Sequence, residues 1–171
     1  MPILPIPDMM LKDVYALTPA ALGERGVKLL LMDLDNTLDK YHAKAPTDRL
    51  RSWIDGLKQA GIEPFIYSNS HGHRAERFAS ALGIAYINKA RKPRVRRLFA
   101  LLREKGVAPE ETAIVGDQVY TDVLCGKRAG ILSIAVRPIS LSNPFYYLRY
   151  GAELPFRQAY RRRTNHKEKK A

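Results

Sequence analysis

The stretch "LLLMDLDNTLDK" (residues 29–40) runs four apolar residues straight into a pair of carboxylates, Asp33 and Asp35. An uninterrupted apolar run of this kind reads as a strand covered on both faces, as in a parallel sheet. In such a sheet, ligands bind in the crevice beyond the carboxyl ends of the strands. Residues two apart on a strand point the same way, so Asp33 and Asp35 enter that crevice together.

Working outward, strand candidates at 28–34, 64–68, 84–87, 112–116 and 131–136 alternate with segments of helical period. Leu50, Trp53, Ile54 and Leu57 fall at i, i+3, i+4 and i+7, behind Thr47 as N-cap and before Gly61. Ala75, Phe78, Ala79 and Leu82 repeat the spacing and stop at Gly83. Val95, Leu98, Phe99 and Leu102 repeat it again, with Pro93 in the first turn and Gly106 as the stop. The expected fold is α/β, a single domain with a central parallel sheet and helices on both faces. Residues 1–27 read as a helical or irregular lead-in, 28–139 as the core, and 140–171 as a basic, aromatic tail.

A length of 171 residues suits one domain with its own core, and 46% hydrophobic with 27% charged residues is an ordinary globular balance. The single cysteine, Cys125, matches no metal-binding spacing and reads as a core thiol in a reducing compartment. The N-terminus is broken by Pro2, Pro5 and Pro7 and has no basic segment before an apolar one, so it makes a poor signal peptide. No apolar run reaches the ~18 residues of a membrane span. The expected location is cytoplasmic, or peripheral on the inner face of a membrane. The net charge of +12 favours an anionic partner: a phosphorylated substrate, acidic lipid or nucleic acid.

Ser68 ends the second strand candidate, Asp117 follows the fourth, and Lys92 precedes Pro93 at the mouth of a helix. With Asp33 and Asp35, these polar groups converge on one edge of the sheet. Asp117 beside the first two acids stacks negative charge that a cation must offset, and Mg²⁺ suits an all-oxygen set. Lys92 answers the remaining charge and that of a phosphate.

These residues resemble the four motifs of the haloacid dehalogenase (HAD) superfamily phosphatases, in order and without substitution: "DLDNT" (33–37), Ser68, Lys92 and "GDQVYTD" (116–122). More narrowly, "SNS" (68–70), "KARKP" (89–93) and "GDQVYTDVLCGKRAG" (116–130) resemble the YqeG-like branch of subclass IIIA, related to the phosphatidylglycerophosphate phosphatases. The resemblance spans roughly residues 12–139. It implies a Rossmann-like HAD core in which Asp33 is the nucleophile, forming an aspartyl-phosphate, and Asp35 is the acid and then the base. It implies that Thr37 and Ser68 hydrogen-bond the phosphoryl, with Asn69 as a further substrate contact, and that Lys92 stabilises the phosphoryl charge. Mg²⁺ would be held by Asp33, Asp117 and the carbonyl of Asp35. Asp122 would orient Lys92 or a metal-bound water. Lys89, among six basic residues between positions 89 and 97, is the rival to Lys92. His71 and His73 carry no assigned role.

Only 30 residues separate Thr37 from Ser68, and 23 separate Ser68 from Lys92, so no inserted cap domain fits. The site is expected to be capless and open, suited to a large or membrane-bound phosphomonoester such as phosphatidylglycerophosphate. The tail interleaves Tyr and Phe with Arg and Lys, a mixture suited to acidic headgroups or to RNA. It could equally pack on the domain through Phe145, Tyr146 and Leu148, with residues 161–171 disordered and solvated. Rival functions are a nucleic-acid-end or phosphoprotein phosphatase, a receiver-like signalling domain, and a basic RNA- or ribosome-binding module.

Overall fold

Every strand of the sheet is parallel to its neighbours, because each chain segment between strands crosses over a face before returning. A computed structural model describes residues 3–142 and 144–168; the side chains of residue 145 and residues 166–168 lie outside that description. The strands are β1 (Met9–Leu11), β2 (Leu29–Met32), β3 (Glu63–Tyr67), β4 (Ala85–Ile87), β5 (Thr112–Gly116) and β6 (Leu132–Val136). Their spatial order is β1-β6-β5-β2-β3-β4, which puts the strand ending in Asp33 at the centre.

The helices are α1 (Pro19–Gly23), α2 (Asp48–Gln59), α3 (Arg74–Leu82), α4 (Arg96–Lys105), α5 (Leu124–Ala129) and α6 (Pro144–Glu168). Alternation along the strands divides the core between the two faces. Leu30, Met32, Ile66 and Val115 pack with Leu50, Ile54 and Leu57 of α2 and Phe78 of α3. Leu29, Leu31, Phe65 and Ile114 pack with Leu98 and Leu102 of α4 and Cys125 and Ala129 of α5. Burial of each such side chain stabilises by roughly 1.5–3 kcal/mol. Cys125 is a core thiol, its pKa pushed up to about 12 by burial. Thr47 Oγ1 accepts from Leu50 N at 3.2 Å, capping α2 as expected. Gly83 and Gly106 end α3 and α4 in the left-handed conformation that glycine adopts without strain.

Three elements differ from the sequence expectation. Helix α4 begins at Arg96, so Pro93 sits in the turn before it. The lead-in contributes a strand: β1 pairs with β6, Met9 opposite Ile134. Three residues, two of them Met, carry no local strand signal, and β1 exists through its ladder and through Asp8. Asp8 Oδ2 accepts from Ser133 N at 2.9 Å and from Ser133 Oγ at 2.7 Å, and Asp8 also pairs with Lys127. Although burial pushes the Asp8 pKa up, these bonds hold it below the usual carboxylate value. The tail is helical to Glu168 rather than disordered from 161; residues 169–171 and the side chain of Phe145 lie outside the described residues. Tyr146 is half-buried, and Leu148 is exposed rather than packed.

Asp8→Ala should weaken the β1 edge by about 1–2 kcal/mol. A domain of this size loses roughly 2–4 °C of Tm per kcal/mol, which calorimetry resolves. An unchanged Tm would mean that Asp8 does not anchor the strand.

Candidate active site

At the carboxyl end of β2 the backbone continues in register with β5, Asp33 N donating to Val115 O at 2.9 Å. Asp33 therefore stands at the mouth of the central strand, with Ser68 beyond β3 on one side and Asp117 beyond β5 on the other. Lys92, in the connection after β4, reaches across and donates to Asp33 Oδ1 at 2.7 Å and Asp122 Oδ1 at 2.6 Å. Its side chain is 1% exposed. Lys89 is exposed, so of the two lysines it is Lys92 that the fold brings to the acids.

Asp122 is aimed by its own surroundings. Its Oδ2 accepts from Gln118 N at 3.1 Å, and a Cβ on Gly116 would lie 2.1 Å from that same oxygen. Only glycine leaves room for the carboxylate. Asp122 is thereby held against the Lys92 amine. Thr37 is buried behind the acids rather than lining the cleft: its Oγ1 accepts from Asp117 N at 3.0 Å and lies 3.3–3.4 Å from the Asp117 and Asp33 carboxylates. Asn69 lines the cleft, but its side chain is engaged by the Lys92 backbone, accepting from Lys92 N at 2.8 Å and donating to Lys92 O at 3.0 Å. Ser68 is buried at the cleft wall, its Oγ accepting from Ser70 N at 3.1 Å.

Asp35 is held apart from the other acids. Arg74 Nε donates to its Oδ1 at 2.7 Å, and the same guanidinium grips the carbonyls of Lys40 and Ala43. Burial nevertheless raises the Asp35 pKa above its ordinary value, against the pull of Arg74. His71 lines the cleft and His73 pairs with Glu76 at 2.8 Å on the surface.

Asp33, Asp117 and Asp122 can each bring an oxygen within 4.8 Å of the others, and all three are buried. Burial, reinforced by the Asp33 and Asp122 charges, raises the Asp117 pKa well above its ordinary value. Burial likewise raises Asp122 to about 6, against the pull of Lys92. Burial alone would lower Lys92, but Asp122 and Asp33 outweigh it and keep the ammonium charged. A divalent cation fits this crowded, oxygen-only set. The Asp35 carboxylate belongs to Arg74 and stands outside the cluster.

Sequence reasoning missed the last helix. Arg157 Nη2 donates to Asp117 O at 2.6 Å and Nη1 to Val136 O at 3.2 Å, and Arg157 pairs with Glu153 at 3.3 Å. One side of this helix faces the site: Arg149 Nη2 reaches Asp117 Oδ2 at 3.1 Å, and Tyr146 and Arg149 line the cleft with Asp33 and Ser68. Arg74 also carried no signal, because one Arg in "HGHRAER" is indistinguishable from a surface charge. The cleft holds about 270 Å³ and adjoins a larger hollow of about 900 Å³, with Asn36, Tyr41 and Tyr146 shared between them.

Residues 21–130 match the haloacid dehalogenase-like hydrolases. The chain belongs to that family. It is 39% identical over 140 residues to the probable phosphatase YqeG of Bacillus subtilis (strain 168), covering 82% of this chain and 81% of that protein. Over 152 residues it is 31% identical to the chloroplastic phosphatidylglycerophosphate phosphatase 1 of Chlamydomonas reinhardtii, covering 83% of this chain and 56% of that protein. The solved 3-deoxy-D-manno-octulosonate 8-phosphate phosphatase of Moraxella catarrhalis, in complex with magnesium and phosphate ions, shares the fold. Its TM-score is 0.53 at 22% identity, covering 68% of this chain and 82% of that one. With phosphatases as its relatives, this HAD hydrolase is a phosphatase. Its sheet carries no inserted cap, and among the described residues no helix is long and apolar enough to cross a membrane.

The raised Asp122 pKa has a sign that can be measured. A carboxyl that keeps its proton longer in the native state lowers native stability as pH climbs from 3.8 towards about 6. In chelator, Asp122→Asn should therefore gain on the wild type between pH 4 and 7, by about 1–3 kcal/mol in denaturant unfolding. A stability difference independent of pH would contradict the buried, strained carboxylate.

Proposed function

We propose that this phosphatase hydrolyses phosphomonoesters through an aspartyl-phosphate on Asp33, with Mg²⁺ as its cation and a phospholipid headgroup monoester, such as phosphatidylglycerophosphate, as its favoured substrate. The observation that carries this reading is the buried Asp33–Lys92–Asp122 array, with Asp117 and Ser68 on either side and Asp35 on a separate clamp. A Mg²⁺ on Asp33, Asp117 and the Asp35 carbonyl would supply positive charge to the phosphoryl oxygens. Lys92 fixes the Asp33 carboxylate and balances phosphoryl charge, Ser68 hydrogen-bonds a phosphoryl oxygen, and Asn69 shares that wall while holding the Lys92 backbone. Thr37 keeps Asp33 and Asp117 in register.

The Asp33 carboxylate forms the new O–P bond as the bond to the leaving oxygen breaks, and protonated Asp35 gives its proton to that oxygen. Asp35, now ionised, takes a proton from water as the water oxygen bonds to phosphorus and the bond from phosphorus to the Asp33 oxygen breaks, returning Asp33 to its carboxylate. Phosphate leaves, and both acids return to their starting states. Arg74 fixes the Asp35 carboxyl at the cleft wall, and burial shifts its pKa in the direction that an acid needs.

Two features favour a large, membrane-borne ester. The adjoining hollow, lined by Tyr41, His42, Ser140 and Tyr146 among others, offers room for a bulky leaving group. The outward face of α6 is uncharged and partly apolar from Tyr147 to Pro155, with Tyr147 68% and Leu148 74% exposed, and it leads to exposed Arg161, Arg162 and Arg163. An apolar face followed by basic residues suits an acidic headgroup layer. On this reading the protein is a cytoplasmic enzyme that visits the membrane.

Asp33→Asn should retain the fold and lose turnover by several orders of magnitude. Asp35→Asn should lose far less on p-nitrophenyl phosphate, whose leaving group needs no proton, than on an alkyl phosphate. A folded Asp33→Asn with near-wild-type phosphate release would remove Asp33 as nucleophile, and equal losses of Asp35→Asn on both esters would remove Asp35 as acid.

The membrane reading has its own test. The protein should sediment with vesicles rich in acidic lipid, less so as salt screens charge beyond ~10 Å at 0.1 M. It should also release phosphate faster from phosphatidylglycerophosphate than from glycerol phosphate. Tyr147→Ser with Leu148→Ser should weaken sedimentation; no sedimentation by the wild type, with equal rates on both esters, would favour a soluble or nucleic-acid substrate instead.

A further inference from the structure

The last helix carries into the site a positive charge that the reaction above does not use. Arg149 spends one donor on Asp117 Oδ2 at 3.1 Å, while its buried Nε has no hydrogen-bond partner among the described residues. Its side chain is 21% exposed and lines the cleft beside Asp33, Asp35 and Ser68. The helix itself is fixed one and two turns further on by buried Glu153 and Arg157. Arg149 therefore has a rigid base and a long, rotatable stem.

Asp117 has two claimants, this guanidinium and the divalent cation that the acid cluster fits. Both are positive, and a cation on the Asp117 carboxylate displaces the arginine from it. The displaced guanidinium remains on the cleft wall, where its planar fork of donors matches a phosphate or phosphodiester. The phosphoryl being transferred already has Lys92 and Ser68 beside it, so the anion left for Arg149 is a different one.

We propose that Arg149 is a specificity-determining residue, whose guanidinium leaves Asp117 when the cation binds and takes an anionic group of the substrate outside the phosphoryl that is cleaved. This rests on the phosphatase reading above and narrows the substrate class to monoesters carrying a second anion, as a phosphodiester-linked headgroup does.

The test uses the full chain with Arg149→Gln and Arg149→Lys. Titration calorimetry with Mg²⁺ and no substrate should show severalfold tighter binding by Arg149→Gln and near-wild-type binding by Arg149→Lys, which keeps the charge. At saturating Mg²⁺, kcat/KM is compared for two soluble esters: the deacylated headgroup glycerophosphoglycerol phosphate, which has the second anion, and glycerol phosphate, which lacks it. The ratio should fall about tenfold in Arg149→Gln, through KM rather than kcat, and fall in Arg149→Lys as well, because the fork is lost. Unchanged cation affinity in Arg149→Gln with wild-type circular dichroism overturns the exchange, and an unchanged ratio in both variants overturns the specificity role. If the wild type cleaves neither ester, it is the substrate reading that fails, and the calorimetry still decides the exchange at Asp117.

Discussion

A single buried ammonium, that of Lys92, makes the rest of the site possible. Three carboxylates would not share so small a buried volume unaided, since each loses its hydration and repels the others. Lys92 bonds two of them directly at 2.6–2.7 Å. Asn69 clamps the lysine's backbone, and Gly116 makes space for the Asp122 carboxylate that aims its amine. The arrangement is electrostatically unfinished: with all three carboxylates ionised, Asp33, Asp117 and Asp122 against Lys92 and Arg149 leave one negative charge, which favours a cation, and a divalent cation would reverse that sign in favour of an anionic phosphoryl group.

The second organising choice is the use of charge to seat a helix. Helix α6 turns Glu153 and Arg157 inwards, at 1% and 2% exposure, and spends the arginine on the carbonyls of Asp117 and Val136. A buried pair of this sort gives little net stability but a definite register. Register is what the site requires, because the same helix delivers Tyr146 and Arg149 to the cleft wall. A sheet with no inserted cap thereby gains a partial wall from an element outside its strand–helix alternation.

What the sequence disclosed follows from how each signal is encoded. Apolar strands, helical periods and glycine stops are local, and they located β2 to β6 and α2 to α4 to within a few residues. Asp33, Asp35, Ser68, Lys92 and Asp117 were legible because strand ends in a parallel sheet converge on one edge, whatever the distance along the chain. Strand β1 was not legible, since its pairing partner lies more than a hundred residues away. Helix α6 was not legible either: its buried positions are Glu and Arg, so no apolar stripe marks the inward face, and Pro155 interrupts the helical pattern. Thr37 and Asn69 were legible as residues, but the contacts of the Thr37 hydroxyl with the acids and of the Asn69 amide with the Lys92 backbone come from three-dimensional packing and carry no sequence signal.

The central position of β2 also governs how the chain is made. Its partner β3 follows in sequence, but the opposite edge of β2 pairs with β5. As the polypeptide emerges from the N-terminus, Leu29–Met32 therefore presents an apolar, unpaired strand edge until Thr112–Gly116 has been synthesised. An edge of that kind is a template for pairing with other chains. Asp33, at the end of that strand, is left without both Lys92 and Asp117 for much of the same interval, so the nascent chain exposes a sticky edge before it possesses a working site.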